Sequence, residues 1–455
     1  MLILTGQQSE GDPYDTLSEE CTEIVSADTA GWHESFLAGP PFSKFDVRSD
    51  VRWTARFLAF AAVLMAWSSE QTLADRFGAA WESLVGMFPF CRRPGKTYQG
   101  FIKMLLQRGE GLLGWVRAHL RVELQKMAGE HWTRQGLLAF AADGSRVECP
   151  RTKANEEALG CGGRKGTGPQ FWLTSLWHMG TGLLWSWKIG LATDAERMHL
   201  RQMLDLLPRC AVLVADAGFT GYELFSELLA GGRSFLIRVG SNVQLLKKLG
   251  YAKVENDGTV YLWPERFRKK NLPPLVLRLI VLQRKGKKMY LLTNLPRERL
   301  SDEQASILYE MRWGVELFYR SMKQTLARRK MLSRAPAKAR AELSWTLVGL
   351  QLLGLLSVEQ ILRSGRDPLS WSVAMSLRAV RLAMIDHKPR KPCTGGLLGC
   401  LSRAVQDSYQ RRSSKTARNW PHKKKDRPPG PPKFRNATRT EVKNAQKIKA
   451  ENIAA

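Results

Sequence analysis

The amino-terminal quarter of the chain has the apolar spacing of helices. Between Val51 and about Met127, apolar residues recur at helical intervals in two long segments, separated by a stretch with Pro and Gly around Arg92 to Gly100. This pattern predicts an all-α domain at residues 51–130. A later apolar segment, Leu343 to Val358, is shorter than the roughly 20 residues of a membrane-spanning helix, so we expect a helix buried behind a sheet.

Between these regions, continuous apolar runs of strand length predict a sheet that is buried on both faces. One run, Leu137 to Ala142, ends at Asp143 and is followed by the turn-forming Gly144; another, in AVLVADAGF, ends at Asp216. Functional groups of mainly parallel sheets lie at the carboxyl ends of strands. We therefore expect both aspartates at one edge of the sheet.

Aromatic and β-branched runs between the two aspartates, FWLTSLWHM and LLWSWKIG, predict an antiparallel meander that continues the first strand. Thr193 and Glu196 have the spacing of a capping box, which assigns Glu196 to the start of a helix rather than to a ligand set. Beyond Asp216, the runs VYLWPERF, PLVLRLIVLQ and KKMYLLTNL predict further strands at about residues 240–298.

The segment YEMRWGVELFYRSMK, from Tyr309 to Lys323, places several chemically distinct side chains on one helix face. At about 100° per residue, Tyr309, Arg312, Glu316 and Lys323 fall within an arc of roughly 60°. A carboxylate flanked by two cations and a phenol suits a polyanion held near a metal ion. The structural alternative is an amphipathic helix in which Glu316 pairs with Arg312 or Arg320.

Asp143, Asp216 and Glu316 together supply three carboxylates. Magnesium and manganese prefer oxygen ligands, and two such ions can activate a water or a 3′ hydroxyl and stabilise the leaving oxygen of a phosphodiester. Two aspartates and one glutamate are enough to hold that pair of ions. These three residues are therefore the candidate metal ligands.

Three sequence blocks resemble those of the insertion-sequence DDE transposases. The third block of that family, Y-(2)-R-(3)-E-(6)-K, is met in full by Tyr309 to Lys323. The second block, an Asp, any residue, a Gly and an aromatic residue, is similar to Asp216 to Phe219. The first, Asp-Gly-Ser with a later Asn and Gly, is similar to Asp143 to Gly160. The blocks occur in the order that the family has.

The resemblance implies an α/β fold with a ribonuclease H-like mixed-sheet core at residues 131–365. It also implies a β-rich insertion, at about residues 240–298, between the second and third carboxylates. A carboxy-terminal helical segment is expected at residues 366–400. In this family the all-α amino-terminal domain at residues 51–130 often binds DNA at the terminal repeat of the element.

The implied activity is cut-and-paste DNA transposition with a hairpin intermediate. Two Mg²⁺ or Mn²⁺ ions held by the three carboxylates would support strand cleavage and 3′-hydroxyl strand transfer. Tyr309, Arg312 and Lys323 would bind phosphates of the transferred strand. The expected partners are the terminal inverted repeats and target DNA, bound by a homodimer without any membrane association.

Trp263 is a further candidate for DNA binding. Arg266, Arg268, Lys269 and Lys270 are close to it in sequence, and such a tryptophan can stack on a flipped or unpaired base while cations follow the phosphates. A tryptophan packed inside a hairpin is the structural alternative.

The charge of the chain favours a polyanionic partner. The formal net charge is +28 over 455 residues, which points to nucleic acid through phosphate neutralisation and counterion release. Residues 1–50 form an acidic leader, with two Lys or Arg against ten Asp or Glu, which we expect to be partly disordered. Residues 401–455 have fifteen Lys or Arg against four acids. We expect this basic tail to be disordered, and either to bind DNA phosphates or to act as a solvated tail.

Cysteine and histidine add no metal chemistry to this picture. The seven cysteines form no CxxC pair, which argues against a zinc ribbon or a disulfide framework and for a reducing cytoplasm. The resemblance to insertion-sequence transposases implies that this is the cytoplasm of a bacterium, with the protein at the nucleoid. His178 and His199 are interpreted as structural.

Two alternative functions stay open, a domesticated DNA-binding protein without catalysis and a ribonuclease H-like nuclease without strand transfer.

Overall fold

The computed structural model describes Phe42, residues 51–88, 91–162, 167–256, 258–284, 286–385, Leu401 and residues 430–454. The chain divides into two compact units. One, the helical unit, comprises Met1–Met127 and Ser321–Asp407; the other, the sheet unit, comprises Ala128–Arg320 and Ser408–Ala455. Apart from Phe42, the predicted acidic leader lies outside the described residues.

The helices and strands follow one another along the chain. The helices are α1 (Ala55–Trp67), α2 (Leu73–Met87), α3 (Tyr98–Ala128), α4 (Lys153–Leu159), α5 (Glu196–Arg201), α6 (Tyr222–Ala230), α7 (Glu265–Arg268), α8 (Asp302–Met311), α9 (Trp313–Arg320), α10 (Pro336–Arg363), α11 (Val373–Ile385) and α12 (Arg439–Ala454). The strands are β1 (Ala139–Glu148), β2 (Gln170–His178), β3 (Leu183–Leu191), β4 (Val212–Ala215), β5 (Ser234–Val239), β6 (Gln244–Lys247), β7 (Thr259–Leu262), β8 (Leu275–Arg284), β9 (Lys287–Thr293) and β10 (Lys433–Asn436).

The helical unit is built around α10, which is apolar on all sides. By length and composition α10 could cross a membrane, but 89% of its apolar window is buried inside the protein. It packs on α1, where the indole N–H of Trp67 donates to the Gly349 carbonyl at 2.8 Å. The predicted catalytic domain, residues 131–365, includes residues 321–365. In the structure they group with the amino-terminal helices, because the apolar surface of α10 is buried against α1.

The sheet unit contains one mixed sheet of ten strands among the described residues, in the order β10-β6-β7-β8-β9-β5-β4-β1-β2-β3. Strands β1, β2 and β3 form the predicted antiparallel meander, and β4 and β5 run parallel to β1. Strands β6 to β9 occupy the predicted insertion. They extend the same sheet, since β9 pairs antiparallel with β5.

The end of the basic tail differs from the disorder that its composition predicted. Strand β10 pairs parallel with β6 at the edge of the sheet, and α12 follows it. The carboxylate of Glu441, only 6% exposed, pairs with Arg435 at 2.6 Å and also with Arg268. Backbone pairing and a buried ion pair therefore order a segment with few apolar residues. Residues 402–429 of the tail lie outside the described residues.

Candidate active site

Asp143 and Asp216 lie just past the end of one parallel ladder. Strands β1 and β4 pair from Ala139 with Val212 to Ala142 with Ala215, and the aspartates are the next residue on each strand. The predicted shared edge is therefore present. Strand β1 does not turn at Gly144, however. It continues to Glu148 because β2 pairs with it over its whole second half, with Asp143 opposite Ser175.

Each aspartate is oriented by a backbone amide. Oδ1 of Asp143 accepts from the N–H of Gly144 at 2.9 Å. Oδ1 of Asp216, at the start of a short 3₁₀ turn, accepts from the N–H of Gly218 at 2.8 Å. Among the described residues, no hydrogen bond is seen to the second carboxylate oxygen of either aspartate.

Glu316 reaches the aspartates from helix α9, which is fixed to the sheet at two points. The hydroxyl of Tyr319 donates to the Asp143 carbonyl at 2.7 Å. Gly314 lies against Trp177 of β2 so closely that a Cβ at this position would be 2.1 Å from the indole ring. A glycine is therefore required where the helix crosses the strand.

The helix that carries the motif is not continuous. Helix α8 ends at Met311, Arg312 lies at the junction, and α9 begins at Trp313. A π-helical turn, Ser321–Thr325, follows α9 and contains Lys323. The single helix face predicted from the spacing is thus replaced by three segments. Lys323 belongs to the helical unit, whereas Tyr309, Arg312 and Glu316 belong to the sheet unit.

Arg312 neutralises part of the carboxylate group. Its guanidinium pairs with Glu316 at 2.6 Å and lies 5.6 Å from the centroid of the Tyr309 ring. Tyr309 is only 8% exposed, so its ring supports the arginine more than it faces solvent. Among the described residues, the Nε of Arg312 is buried and has no hydrogen-bond partner. The ion pair is the one that the structural alternative predicted.

Burial and like charges raise the pKa of Asp143 to about 6. Burial is the largest cause, Asp216 and Glu316 raise it further, and the Gly144 amide and Arg312 lower it. A carboxyl group with this pKa holds a negative charge at neutral pH only at an energetic cost. The site therefore favours the binding of a cation.

A fourth carboxylate, Glu196, was missed by the sequence analysis. The predicted capping box is absent, since the residue before α5 is Ala195 and no side chain caps the helix. Burial raises the pKa of Glu196 to about 7, with further contributions from Asp216 and Asp143. An open basin of about 490 Å³ is lined by Glu196, Asp216, Arg146, Arg197 and Trp172, among other residues. Glu196 was interpreted as a helix cap because it lies three residues after Thr193.

Comparisons with known proteins give the family of this site. Residues 134–351 match the family described as the transposase DDE domain. This segment, a little under half of the chain, is similar to a transposase DDE domain. This confirms the resemblance to the insertion-sequence DDE transposases, and Asp143, Asp216, Tyr309, Arg312 and Glu316 all lie inside the matched residues.

One curated relative is the transposase InsG for insertion sequence element IS4 of Escherichia coli (strain K12). It is 27% identical over 237 residues, which are 49% of this chain and 52% of that protein, so this chain spans about half the length of the relative. A solved structure, the cryo-EM structure of the piggyBac transposase synaptic complex with hairpin DNA, aligns over 87% of each chain. Its sequence identity is 12% and its TM-score is 0.38, below the level at which a common fold is inferred.

The carboxylates of the DDE domain fit hard divalent cations by their chemistry. All of the donors are carboxylate oxygens, which Mg²⁺ and Mn²⁺ prefer, and their mutual repulsion is what a bound cation would relieve. Among the described residues, no three His, Cys, Asp or Glu side chains are gathered closely enough to form a ready ion site. Glu316 is turned toward Arg312 instead.

Trp263 is not available for the predicted contact with DNA. It is 3% exposed, its indole N–H donates to the Leu272 carbonyl at 2.7 Å, and it packs inside the hairpin as the structural alternative had it. Trp313, next to Arg312 in the DDE domain, is 55% exposed. The sequence analysis missed Trp313 because one aromatic residue in an amphipathic helix gives no sign of which side it faces.

The two histidines near the sheet have structural partners. Ring nitrogens of His199 lie 3.1 Å from the Thr174 hydroxyl and 3.2 Å from Asp194. His178 contacts the Thr181 hydroxyl at 2.8 Å and the Trp132 carbonyl at 3.1 Å. Both are buried, which agrees with the interpretation that they are not metal ligands.

Proposed function

We propose that this protein is a DNA transposase that moves an insertion sequence by cutting and joining DNA strands. Asp143, Asp216 and Glu316 would hold two Mg²⁺ or Mn²⁺ ions. The observation that carries the proposal is the place of these residues within a match to a transposase DDE domain. Two aspartates leave the same parallel ladder, and Tyr319 fixes the glutamate helix to one of them.

The topology of the sheet supports a ribonuclease H-like core. Three antiparallel strands, β3-β2-β1, are followed in the sheet by β4 and β5, which run parallel to β1. This order places the end of the β1–β4 ladder in the middle of the sheet. Helix α9 then returns to the same place after the strands of the insertion.

The chain's own groups would position the DNA and the ions. When bound, the ions would activate the attacking water or 3′ hydroxyl and stabilise the leaving oxygen. Backbone amides at Gly144 and Gly218 fix one oxygen of each aspartate and leave the other for an ion. The guanidinium of Arg312, supported by the Tyr309 ring, would bind a phosphate of the transferred strand, and Lys323 is proposed to bind phosphate as well.

The net charge of +28 supports duplex DNA as the partner. The proposed substrates are the terminal inverted repeats of the element and a target duplex, with a hairpin formed between the two cuts and a homodimer holding both ends. Trp313, exposed beside Arg312, replaces Trp263 as the aromatic ring that could stack on an unpaired base. We expect the protein to act in the bacterial cytoplasm, at the nucleoid.

The test uses the purified full chain, Mg²⁺ or Mn²⁺, and labelled duplex from the borders of its own coding region. We expect metal-dependent nicks at the border, then hairpins and joined products, all absent in Asp216→Ala. Asp205→Asn, which changes an exposed aspartate beyond α5, serves as the matched control and should behave like the wild type.

The same assay separates the two alternatives. Tight and specific binding without any cut would favour a domesticated DNA-binding protein. Metal-dependent nicks without joined products would favour a nuclease that lacks strand transfer. Cleavage that persists in Asp216→Ala would contradict the assignment of the three carboxylates.

A further inference from the structure

Glu196 lies beside the residues that follow the two aspartates. An ideal Cβ built on Gly144 would be 2.7 Å from Cδ and 3.0 Å from Oε1 of Glu196. A Cβ built on Gly218 would be 3.0 Å from Oδ1 of Asp216 and 4.0 Å from Oε2 of Glu196. The Glu196 carboxylate therefore occupies the space beside the two glycines that follow Asp143 and Asp216.

Among the described residues, Glu196 has no hydrogen bond or ion pair, although Arg146 lies close enough to lower its pKa electrostatically. It does not cap α5, since the N-cap residue is Ala195 and no side chain caps the helix. A half-buried carboxylate beside two others destabilises the folded chain unless a cation joins them.

The position of Glu196 relative to Asp216 indicates where that cation would bind. Both side chains line the open basin, together with Gly218, whereas Asp143 and Glu316 do not line it. On the other side of the site, Glu316 is already paired with Arg312. Mg²⁺ and Mn²⁺ take about six oxygen ligands each, so the three carboxylates leave ligand positions that a fourth could fill.

We propose that Glu196 is a fourth carboxylate ligand of the metal site. Together with Asp216, it would bind the ion on the side of the open basin. The proposal rests on the proposed function, since it assumes that the aspartates bind divalent ions. It also explains why Gly144 follows Asp143, because any side chain there would displace the Glu196 carboxylate.

The test is the binding of Mn²⁺ to the full chain, measured without DNA by electron paramagnetic resonance of the free ion. Four proteins are compared: wild type, Glu196→Gln, Asp216→Asn and the control Glu157→Gln, which changes an exposed residue of α4. We expect Glu196→Gln to weaken one Mn²⁺ site by about tenfold or more, as loss of a group that shapes a metal site does. Glu157→Gln should bind like the wild type.

Thermal unfolding with and without Mn²⁺ distinguishes a ligand from a structural residue. As a ligand, Glu196→Gln keeps or raises the Tm without the ion, because a repelled charge is removed, and loses part of the rise that Mn²⁺ produces. A lowered Tm without the ion, together with unchanged Mn²⁺ affinity, would overturn the proposal.

The Asp216→Asn protein separates this inference from the proposed function. If Asp216→Asn loses Mn²⁺ and Glu196→Gln binds it like the wild type, Glu196 is not a ligand and the three-carboxylate site stands. If the wild type itself binds no Mn²⁺ above the level of Asp216→Asn, the metal site of the proposed function fails as well.

Discussion

Two groups of buried charges in this chain have opposite arrangements. In the helical unit, Arg328 is 2% exposed and donates to the carbonyls of Leu326, Ala66 and Ser68 at 2.8 to 3.2 Å. In the sheet unit, several carboxylates lie near one another, with Arg312 paired to Glu316 and Arg146 acting electrostatically on Glu196.

The remaining charges of the helical group are also fixed within the chain. Arg76 donates to the Glu70 carbonyl at 2.7 Å and lies 3.7 Å from Glu342. Arg381 donates to the Trp67 carbonyl at 2.7 Å. These guanidinium groups bind the open carbonyls at and beyond the end of α1, where helices leave acceptors unsatisfied.

The comparison separates buried charges that stabilise the fold from buried charges that are available to bind a ligand. Charges whose donors and acceptors are all matched inside the chain stabilise its structure, and their loss should lower stability. Like charges that repel one another, as Asp143 and Glu196 do with Asp216, point to a cation from outside. Substitution in this second group should leave stability intact and remove activity.

The largest effect is expected for Asp143→Asn. Strand cleavage should fall by about 10⁴-fold or more, as for other residues that act as one catalytic unit. The amide can still accept from the Gly144 N–H, and the buried charge disappears, so the Tm without metal should not fall. Cleavage of labelled border duplex and thermal unfolding, each compared with Asp205→Asn, check the two halves of this prediction.

Arg328→Met should have the reverse effect. It removes the donor for carbonyls at the end of α1 and should lower the free energy of unfolding by about 3–5 kcal/mol, the usual result of breaking a buried charge network. The control is Arg363→Met, whose exposed pair with Glu359 should contribute less than about 1 kcal/mol. Urea unfolding followed by circular dichroism measures both, and equal losses would show that burial of Arg328 has no special role.

Arg312→Ala tests the arginine that pairs with Glu316 in the sheet unit. Specific complexes with the element ends should weaken by about 1.5–3 kcal/mol, the contribution of a hydrogen bond to a charged group. Arg320→Ala, at the exposed end of α9, is the matched control. Band-shift titration with border duplex gives both affinities. End complexes unchanged from the wild type would leave Arg312 as an ion-pair residue only.

Much of the site could be predicted because its parts are local in sequence. Asp143 and Asp216 each end an apolar run, and the β1–β4 ladder places both at one edge as strand periodicity predicts. The spacing from Tyr309 to Glu316 survives the break at Arg312, since the junction keeps helical dihedral angles. Local patterns therefore predict where these residues lie in the fold, and their roles in catalysis stay a prediction.

The rest depends on contacts between distant parts of the chain. Glu196 has the spacing of a cap, and only the folded positions of Gly144 and Gly218 show that its carboxylate joins the aspartates. Trp263 has basic neighbours in sequence, yet its ring is buried by the hairpin. The order at the end of the tail comes from pairing of β10 with β6, a long-range contact that composition does not predict.

The smallest expected effect is a pH dependence of stability that follows the raised pKa values. Burial and neighbouring carboxylates raise the pKa of Asp143 from 3.8 to about 6 and that of Glu196 from 4.5 to about 7. A raised folded-state pKa adds stability below the unfolded-state pKa, and this stability is lost as the pH rises through the folded-state value. Without metal, the Tm should therefore fall between about pH 4 and pH 7, from the unfolded-state to the folded-state pKa values.

Divalent ions should reverse that trend, because they bind the deprotonated carboxylates. The rise in Tm on adding Mg²⁺ should be small at pH 5 and should grow through pH 6 and 7, the window of the two raised pKa values. In Glu196→Gln the upper part of this window should be lost, so that the growth ends near pH 6. A rise in Tm that is equal at pH 5 and pH 8 would mean that the sheet group binds no cation through these carboxylates, and its contrast with the matched arginines of the helical unit would disappear.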